Sequence, residues 1–450
     1  MSGAIPEKLM VKQAMLSDSN MVRKTVELYA ASANSQTNYS SGDRLLFSIP
    51  AYAHSFIDFS KSYMKFVGKT TNSSNVALGK ALFYDGIPCF DRLQIRANGT
   101  VLEDIQQYQN LERIMLLTGK SKADIEGDLV SGHYTVGRPA HSTDELIARQ
   151  QEKGVGFVKK LHSGLFSLSD YLFPVFRTTG MELELDIGSR ESIIRGGMAS
   201  SNGNASSNFM LTDVKFVFSL LTVSPEFVSN FNKLYNSKEL VLPIITFQRH
   251  VSSYASSETE PVVFVNSARH DVRRAYTVLT KPPSTTIQPL SSATPQATIP
   301  SPHFLKGRMD TTQTCVGFQS RFQDISFPST QVIARTVGAD VVDQHHMLAH
   351  CLSNIPPSQT TPYMASMSPI YFAPVFEDEF IVVQDYRSSD DKNRINGLDM
   401  NSSGGSPLML ELKMNQADSS NTSTQVNTYL EVSSNIVIGP DGGVSIVSMK

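Results

Sequence analysis

Two stretches of this chain repeat each other in the same order and at nearly the same spacing. Phe90-Asp91-Arg92-Leu93-Gln94-Ile95 is followed by Gly99-Thr100-Val101-Leu102-Glu103-Asp104-Ile105 and a helix-patterned run to Leu117. Phe322-Gln323-Asp324-Ile325-Ser326-Phe327 is followed by Gly338-Ala339-Asp340-Val341-Val342-Asp343 and a similar run to Leu352. A second pair follows: Met181-Glu182-Leu183-Glu184-Leu185-Asp186-Ile187 and Leu408-Met409-Leu410-Glu411-Leu412-Lys413-Met414. Asp91 and Asp324 are 233 residues apart, and Leu183 and Leu410 are 227 apart. Two markers at similar offsets point to a duplicated unit of roughly 220 residues. Because the identity is low, chance similarity is the competing explanation.

Strand patterns dominate both copies. Leu45 to Pro50, Phe56 to Val67, Ala81 to Tyr84 and Asp91 to Arg96 read as strands, with Asp85-Gly86 and Asn98-Gly99 as turns. Met181 to Ile187 alternates, which marks a strand with one buried and one wet face. A helix is expected from Glu103 to Leu117, with Ile105, Tyr108, Leu111 and Met115 on one side. Leu161 to Phe166 is expected as a strand, and residues 118–160 as a long surface excursion. Val214 to Val223 reads as a central strand. It runs into Ser224-Pro225-Glu226, a helix start with Ser as N-cap and Pro in the first turn. Phe227, Phe231 and Leu234 give that helix an apolar side. The second half reads as strands at Leu240 to Phe247, Val262 to Val265, Ala275 to Leu279, Phe380 to Val383, Leu408 to Met414, Gln425 to Val432 and Asn435 to Ile438. Between them, residues 282–303 hold six prolines and read as a stiff, extended loop. Residues 1–35 precede the first clear strand, with Val11, Met15, Val22, Val26 and Tyr29 at loosely helical spacing. They are expected to form an N-terminal arm outside the core. Many short strands per half, with few helices and long loops, indicate an all-β sandwich or barrel in each half.

Composition narrows the function classes. A net charge of −3 offers no electrostatic footprint for nucleic acid or an anionic membrane. The three cysteines, Cys89, Cys315 and Cys351, fit neither a disulfide framework nor zinc spacing, and a reducing compartment suits them best. No apolar run reaches transmembrane length, and the start of the chain has no signal-peptide pattern. Asn-x-Ser/Thr triplets at Asn72, Asn98 and Asn421 carry little weight in a chain rich in Asn and Ser. There are 24 Phe and 15 Tyr but no Trp, so the core is built on Phe, Tyr, Met and aliphatics.

Several residues together resemble the double jelly-roll major capsid proteins, most of all those of polinton-like viruses and virophages. The wider lineage includes large algal DNA viruses and tailless icosahedral phages. The resemblance rests on the strand Ile57-Asp58-Phe59-Ser60-Lys61-Ser62-Tyr63-Met64-Lys65-Phe66. It rests also on Leu93-Gln94-Ile95 with Asn98-Gly99-Thr100, Leu102-Glu103, Ile105, Tyr108 and Leu111. Gly180-Met181-Glu182-Leu183-Glu184-Leu185 is a third part, and Leu211-Thr212-Asp213-Val214 running to Ser224-Pro225-Glu226 is the last. It implies two tandem eight-stranded antiparallel jelly rolls, with short helices in loops and a helical N-terminal arm. The expected division is an arm at 1–35, a first jelly roll at 36–235 and a second at 236–450. The resemblance further implies homotrimeric, pseudo-hexagonal capsomers tiling the icosahedral shell of a double-stranded DNA virus. The protein would be made in the host cytoplasm or nucleus and reside in the virion capsid. Neighbouring capsomers, minor capsid proteins and penton proteins are the implied partners. The arm is the candidate contact with minor proteins or an inner membrane. Residues 118–160 and 282–312 are the candidate outer towers. No sequence-specific nucleic-acid binding is expected.

No constellation argues for catalysis, a metal or a cofactor, and none is expected. His345, His346 and His350 form a cluster on a helix-patterned run, but the Glu of a metalloprotease motif is missing. Glu182, Glu184 and Asp186 share one face of a strand, which suits a solvated or intersubunit face better than a glycosidase pair. Glu377-Asp378-Glu379 with Asp390-Asp391 lacks the glycine-centred calcium-loop pattern. Gly86, Gly99, Gly119 and Gly127 form no phosphate loop, and there is no nucleophile elbow. Arg269, Arg273 and Arg274 are expected as an intersubunit patch. The alternative function is a carbohydrate-binding or carbohydrate-acting two-domain β-sandwich. A virion fibre or penton is a third reading, though it needs no echoing pair of domains.

Overall fold

The computed structural model describes residues 21–31, 38–72, 82–83, 89–119, 154–168, 171–195, 207–235, 238–280, 315–333, 381–388, 397–401, 406–417 and 423–448. The first eleven strands are β1 (Val22–Tyr29), β2 (Asn38–Tyr39), β3 (Arg44–Ile49), β4 (Ser55–Asn72), β5 (Leu82–Phe83), β6 (Phe90–Ala97), β7 (Thr100–Gln106), β8 (Val155–Lys159), β9 (Met181–Ile187), β10 (Ile194–Arg195) and β11 (Ser207–Thr222). Helix α1 (Tyr108–Gly119) follows β7, and α2 (Pro225–Tyr235) follows β11. The second set is β12 (Leu240–Tyr254), β13 (Val262–Val265), β14 (Val272–Thr280), β15 (Cys315–Phe322), β16 (Ile325–Ile333), β17 (Ile381–Asp385), β18 (Leu408–Met414), β19 (Thr424–Ile438) and β20 (Val444–Ser448).

The pairing is the same in both sets. One sheet of the first set runs β1-β11-β4-β8 and the other β3-β9-β6-β7; their counterparts are β12-β19-β14-β17 and β13-β18-β15-β16. With the eight main strands of each set numbered along the chain, both read 1-8-3-6 and 2-7-4-5, all antiparallel. This is the eight-stranded, two-sheet jelly roll, and it occurs twice. Among the described strands, none before α2 pairs with one after it. The small ribbon β5–β10 lies outside the main sheets, β2 extends the β11 edge, and β20 adds to β19.

Alternation places the core. In β9, Met181, Leu183, Leu185 and Ile187 are buried. They face β4 and β11, which contribute Phe59, Met64, Phe66, Phe216 and Phe218. With no Trp available, phenylalanines fill the wedge edge to face: Phe59 lies 5.7 Å from both Phe166 and Phe173, and Phe56 lies 5.7 Å from Phe231 of α2. Ser224 Oγ accepts the Phe227 N–H at 3.2 Å, the cap expected from the sequence.

Four expectations change. The helical arm is replaced, over residues 22–29, by an edge strand fully paired with β11. Val26, Leu28 and Ala30 all pack on the core with period two, and this outweighs the looser helical spacing. Residues 1–20 lie outside the described part. The helix expected from Glu103 begins only at Tyr108, because Asn98 and Gly99 both take positive φ (51° and 78°) and turn the chain straight back into β7. Leu161 to Phe166 is a tight turn region, and the strand lies just before it, as β8. The 425–432 and 435–438 strands are one continuous β19.

The repeat itself is clearer in structure than in sequence. The β6–β7 turn at Asn98-Gly99 corresponds to the β15–β16 turn at Gln323-Asp324. From Asn98 to Gln323 is 225 residues, close to the 227 that separates β9 from β18. Matching Asp91 to Asp324 therefore slipped the register by eight residues. The second copy's helix-patterned run, 338–352, lies outside the described residues.

Candidate functional site

The most elaborate constellation is the seam between the two jelly rolls. Strand β7, the edge of its own sheet, runs against β12 and β20. Glu103 on β7 is 3% exposed. Its Oε1 accepts the Gly164 N–H at 2.8 Å and the Thr246 hydroxyl of β12 at 2.5 Å, while Oε2 accepts the Leu165 N–H at 3.0 Å. One carboxylate thus ties together a strand, a turn and the other jelly roll. Gly164 is required there: a Cβ would sit 2.8 Å from the Ile245 carbonyl oxygen of β12.

Further contacts run along the same seam. The Tyr429 hydroxyl of β19 donates to the Gln107 carbonyl at 2.9 Å. Arg249 of β12 holds Asn427 through two N–H groups, at 3.0 and 2.7 Å. At the far end, Asn98 Oδ1 accepts from the Thr179 N–H and hydroxyl, both at 2.7 Å, while its amide donates to the Gly442 carbonyl of the second jelly roll. Arg177 reaches the carbonyls of Tyr235 and Gly439, each at 3.4 Å. Apolar burial is continuous across the seam. Tyr276, Val278, Ile381, Val383 and Tyr429, on the outer face of β12-β19-β14-β17, belong to the same core cluster as the first jelly roll. The interior of the second sandwich is a separate cluster around Ala275, Leu279, Phe318, Leu410 and Leu430.

Next to the seam, α1 carries a buried ion pair. Glu112 Oε2 lies 2.6 Å from Lys159 Nζ of β8. Burial pushes the Glu112 carboxyl up to about 7, with Lys159 and Tyr108 only partly offsetting it. Tyr108 accepts the His162 N–H at 2.5 Å, and its phenol is held well above its ordinary range by burial.

Glu182, Glu184 and Asp186 do share one face of β9, but arginines occupy it. Arg44 lies 3.0 Å from Asp186 and 3.2 Å from Glu184, and Arg96 lies 3.9 Å from Glu184. On the same sheet, Arg92 grips Asp104 through two hydrogen bonds and holds its carboxyl below the usual range. Glu184 and Asp186, with Arg44, Arg92 and Arg96 around them, form a ladder of charge across the sheet. Arg273 and Arg274 are not an open patch. They are 1% and 7% exposed, and Arg274 lies 3.4 Å from Asp385 and 3.7 Å from Glu431 within the chain. Their strand, β14, is buried on both faces because the first jelly roll covers one of them, which the sequence did not reveal. Cys89 and Cys315 are free and buried, and burial pushes both thiols up to about 12, which favours the protonated thiol. His345, His346, His350, Cys351, Glu377-Asp378-Glu379, Asp390-Asp391 and most of the two tower candidates lie outside the described residues. Among the described residues, no group of three or more His, Cys, Asp or Glu is placed to hold a metal. No helix among the described residues is long and apolar enough to cross a membrane.

Sequence reasoning missed the seam residues Glu103, Thr246, Arg177 and Tyr429 as a functional set. A single acid at a buried position of an alternating strand was the only local signal, and reading β7 as helix hid it.

No protein-family model matches the chain, and no curated protein sequence matches it. Solved structures do. The PBCV-1 virus capsid superposes with a TM-score of 0.59 at 9% identity, covering 95% of this chain and 97% of that one. The Faustovirus major capsid protein gives 0.58 at 9% identity, covering 92% and 90%. The Sputnik virophage structure gives 0.57 at 9% identity, covering 96% and 89%. The fold is therefore the double jelly roll of these capsid structures, over nearly the whole chain.

Proposed function

We propose that this protein is the major capsid protein of an icosahedral double-stranded DNA virus, with a structural and not an enzymatic role. The observation that carries the reading is the doubled 1-8-3-6/2-7-4-5 strand order within one chain, joined by an apolar, hydrogen-bonded seam. A single chain that already holds two wedges side by side is a third of a six-wedge ring. Three copies would close a pseudo-hexagonal homotrimer, which then tiles the shell. The first jelly roll would end with α2 at Tyr235 and the second would begin at residue 236. Residues 22–29 join the first jelly roll, so the arm shrinks to the residues before Val22. That shorter arm, with minor capsid and penton proteins or an inner membrane, makes the contacts on the inner side. The arginine–carboxylate ladder on β3-β9-β6-β7 favours this reading over a carbohydrate-acting sandwich.

Negative-stain microscopy of the purified chain, alone and after concentration, tests the proposal. Hexagonal plates, and shells built from them, are expected. Elongated two-lobed monomers that bind oligosaccharide would overturn it.

A further inference from the structure

The buried pair beside the seam is a cluster that the capsid reading leaves unused. Glu112 of α1 and Lys159 of β8 are 47 residues apart in sequence, and they bracket the long connection between those two elements. Lys159 Nζ lies 2.6 Å from Glu112 Oε2, with the two side chains 9% and 4% exposed. At that separation the nitrogen is also in van der Waals contact with the carboxyl carbon. Neither carboxyl oxygen has a hydrogen-bond partner of good geometry.

The surroundings are apolar. The buried Phe90 ring has its centre 5.8 Å from Nζ, and Phe157, on the same side of β8 as Lys159, packs on Phe66. Cys89 and Tyr108 are buried completely. Two opposite charges held here have given up their water, which is costly. Burial raises the Glu112 carboxyl to about 7, and transfer of one proton within the pair removes both charges. The Tyr108 hydroxyl faces the same carboxyl group. Its oxygen accepts the His162 N–H, so its own proton points elsewhere.

We propose that Lys159 and Glu112 condense to an isopeptide bond that staples α1 to β8 across the connection between them. One proton passes from Nζ to the carboxylate, leaving an amine and an acid. The Nζ lone pair attacks Cδ, and the Tyr108 hydroxyl donates to the oxyanion that forms. Collapse expels the acid hydroxyl with a second proton from Nζ as one water. One N–C bond forms, one C–O bond breaks, and nothing is oxidised or reduced. The product carries neither buried charge, and burial shields the new amide from the water that would reverse the step. A covalent tie across 47 residues also restrains the unfolded chain. The inference goes beyond the capsid reading and does not depend on the trimer.

The test is the intact mass of the full chain, denatured for measurement, from purification through several days of incubation at physiological temperature. A fraction one water mass below the sequence mass should appear and grow. Trypsin should then skip Lys159, and one branched peptide should join it to Glu112. Lys159→Arg keeps the charge but cannot condense, and should stay at full mass. Tyr108→Phe should slow the loss of water roughly a hundredfold. The condensed chain should melt several degrees above Lys159→Arg, and it has no Glu112 carboxyl left to titrate. Full mass throughout in the wild type overturns the proposal. So does a water loss that persists in Lys159→Arg or maps to any other pair of residues. An unslowed Tyr108→Phe overturns the role given to that hydroxyl. If a variant fails to fold, the wild-type mass and peptide map decide alone.

Discussion

Replacing Glu103 with Ala removes the acceptor for three buried donors at once: the Gly164 and Leu165 N–H groups and the Thr246 hydroxyl. Leaving a buried donor unsatisfied costs about 1–3 kcal/mol. The three share one carboxylate, and water can enter the space left by the side chain, so the losses do not simply add. A net loss of about 3 kcal/mol is expected, which for a jelly roll of this size lowers the melting temperature by roughly 6–12 °C. Glu103→Gln keeps the shape but turns an NH2 towards donors, and should cost about 1–2 kcal/mol. Thr246→Val removes only the hydroxyl and should cost about 1 kcal/mol. Because the Thr246 hydroxyl donates directly to Glu103, the double variant should be less destabilised than the sum of the singles. The assay is thermal unfolding with hydrogen exchange at the 164 and 165 amides, which should lose protection in Glu103→Ala. A melting point within about 2 °C of wild type, with those amides still protected, would refute the claim that this carboxylate holds the seam.

Other outcomes follow from the same structure. The Glu112 carboxyl is raised from its ordinary 4.5 to about 7, so the folded state keeps a proton that the unfolded state releases between these values. Stability should therefore be highest below pH 4.5 as far as this group is concerned and fall by about 3 kcal/mol as pH rises to 7. Glu112→Gln should flatten that slope in denaturant titrations run across pH, and an unchanged slope would assign it to other groups. Phe231→Ala empties a space ringed by Phe56, Phe176 and Tyr235, whose ring centres lie 5.7, 5.7 and 4.6 Å away. It should cost about 3–5 kcal/mol by chemical denaturation. Arg274→Ala takes the cation from the buried Glu431, which keeps the Tyr276 hydroxyl, while the half-buried Asp385 keeps Arg387; the loss should be about 3 kcal/mol. Arg92→Ala, whose pair with Asp104 is part exposed, should cost no more than about 1 kcal/mol in the same measurement.

Much of the fold was legible because strand period and duplication are local signals. The alternation of β9 and β18, the turn at Asn98-Gly99 and the cap at Ser224-Pro225 all stood in the sequence and appear in the structure. The failures share one cause, which is that a partner distant in sequence decided the local state. Val22 to Tyr29 has spacing compatible with a helix, and β11, almost two hundred residues later, makes it a strand. Leu102 and Ile105 are three apart, as in a helix, but the hairpin with β6 carries a bulge beside Ile95 that disturbs simple alternation. The seam was the least legible part. Glu103, Thr246 and Tyr429 are ordinary strand residues until the two jelly rolls meet, and Arg273 and Arg274 look like a surface patch until the first jelly roll covers β14.

A capsid role for this chain requires that one chain of two wedges be a third of a closed ring. Native mass spectrometry of the purified protein reads that directly. A single dominant species at three times the 49.5 kDa chain mass is the predicted result. A persistent monomer or a two-fold dimer at micromolar concentration would contradict it.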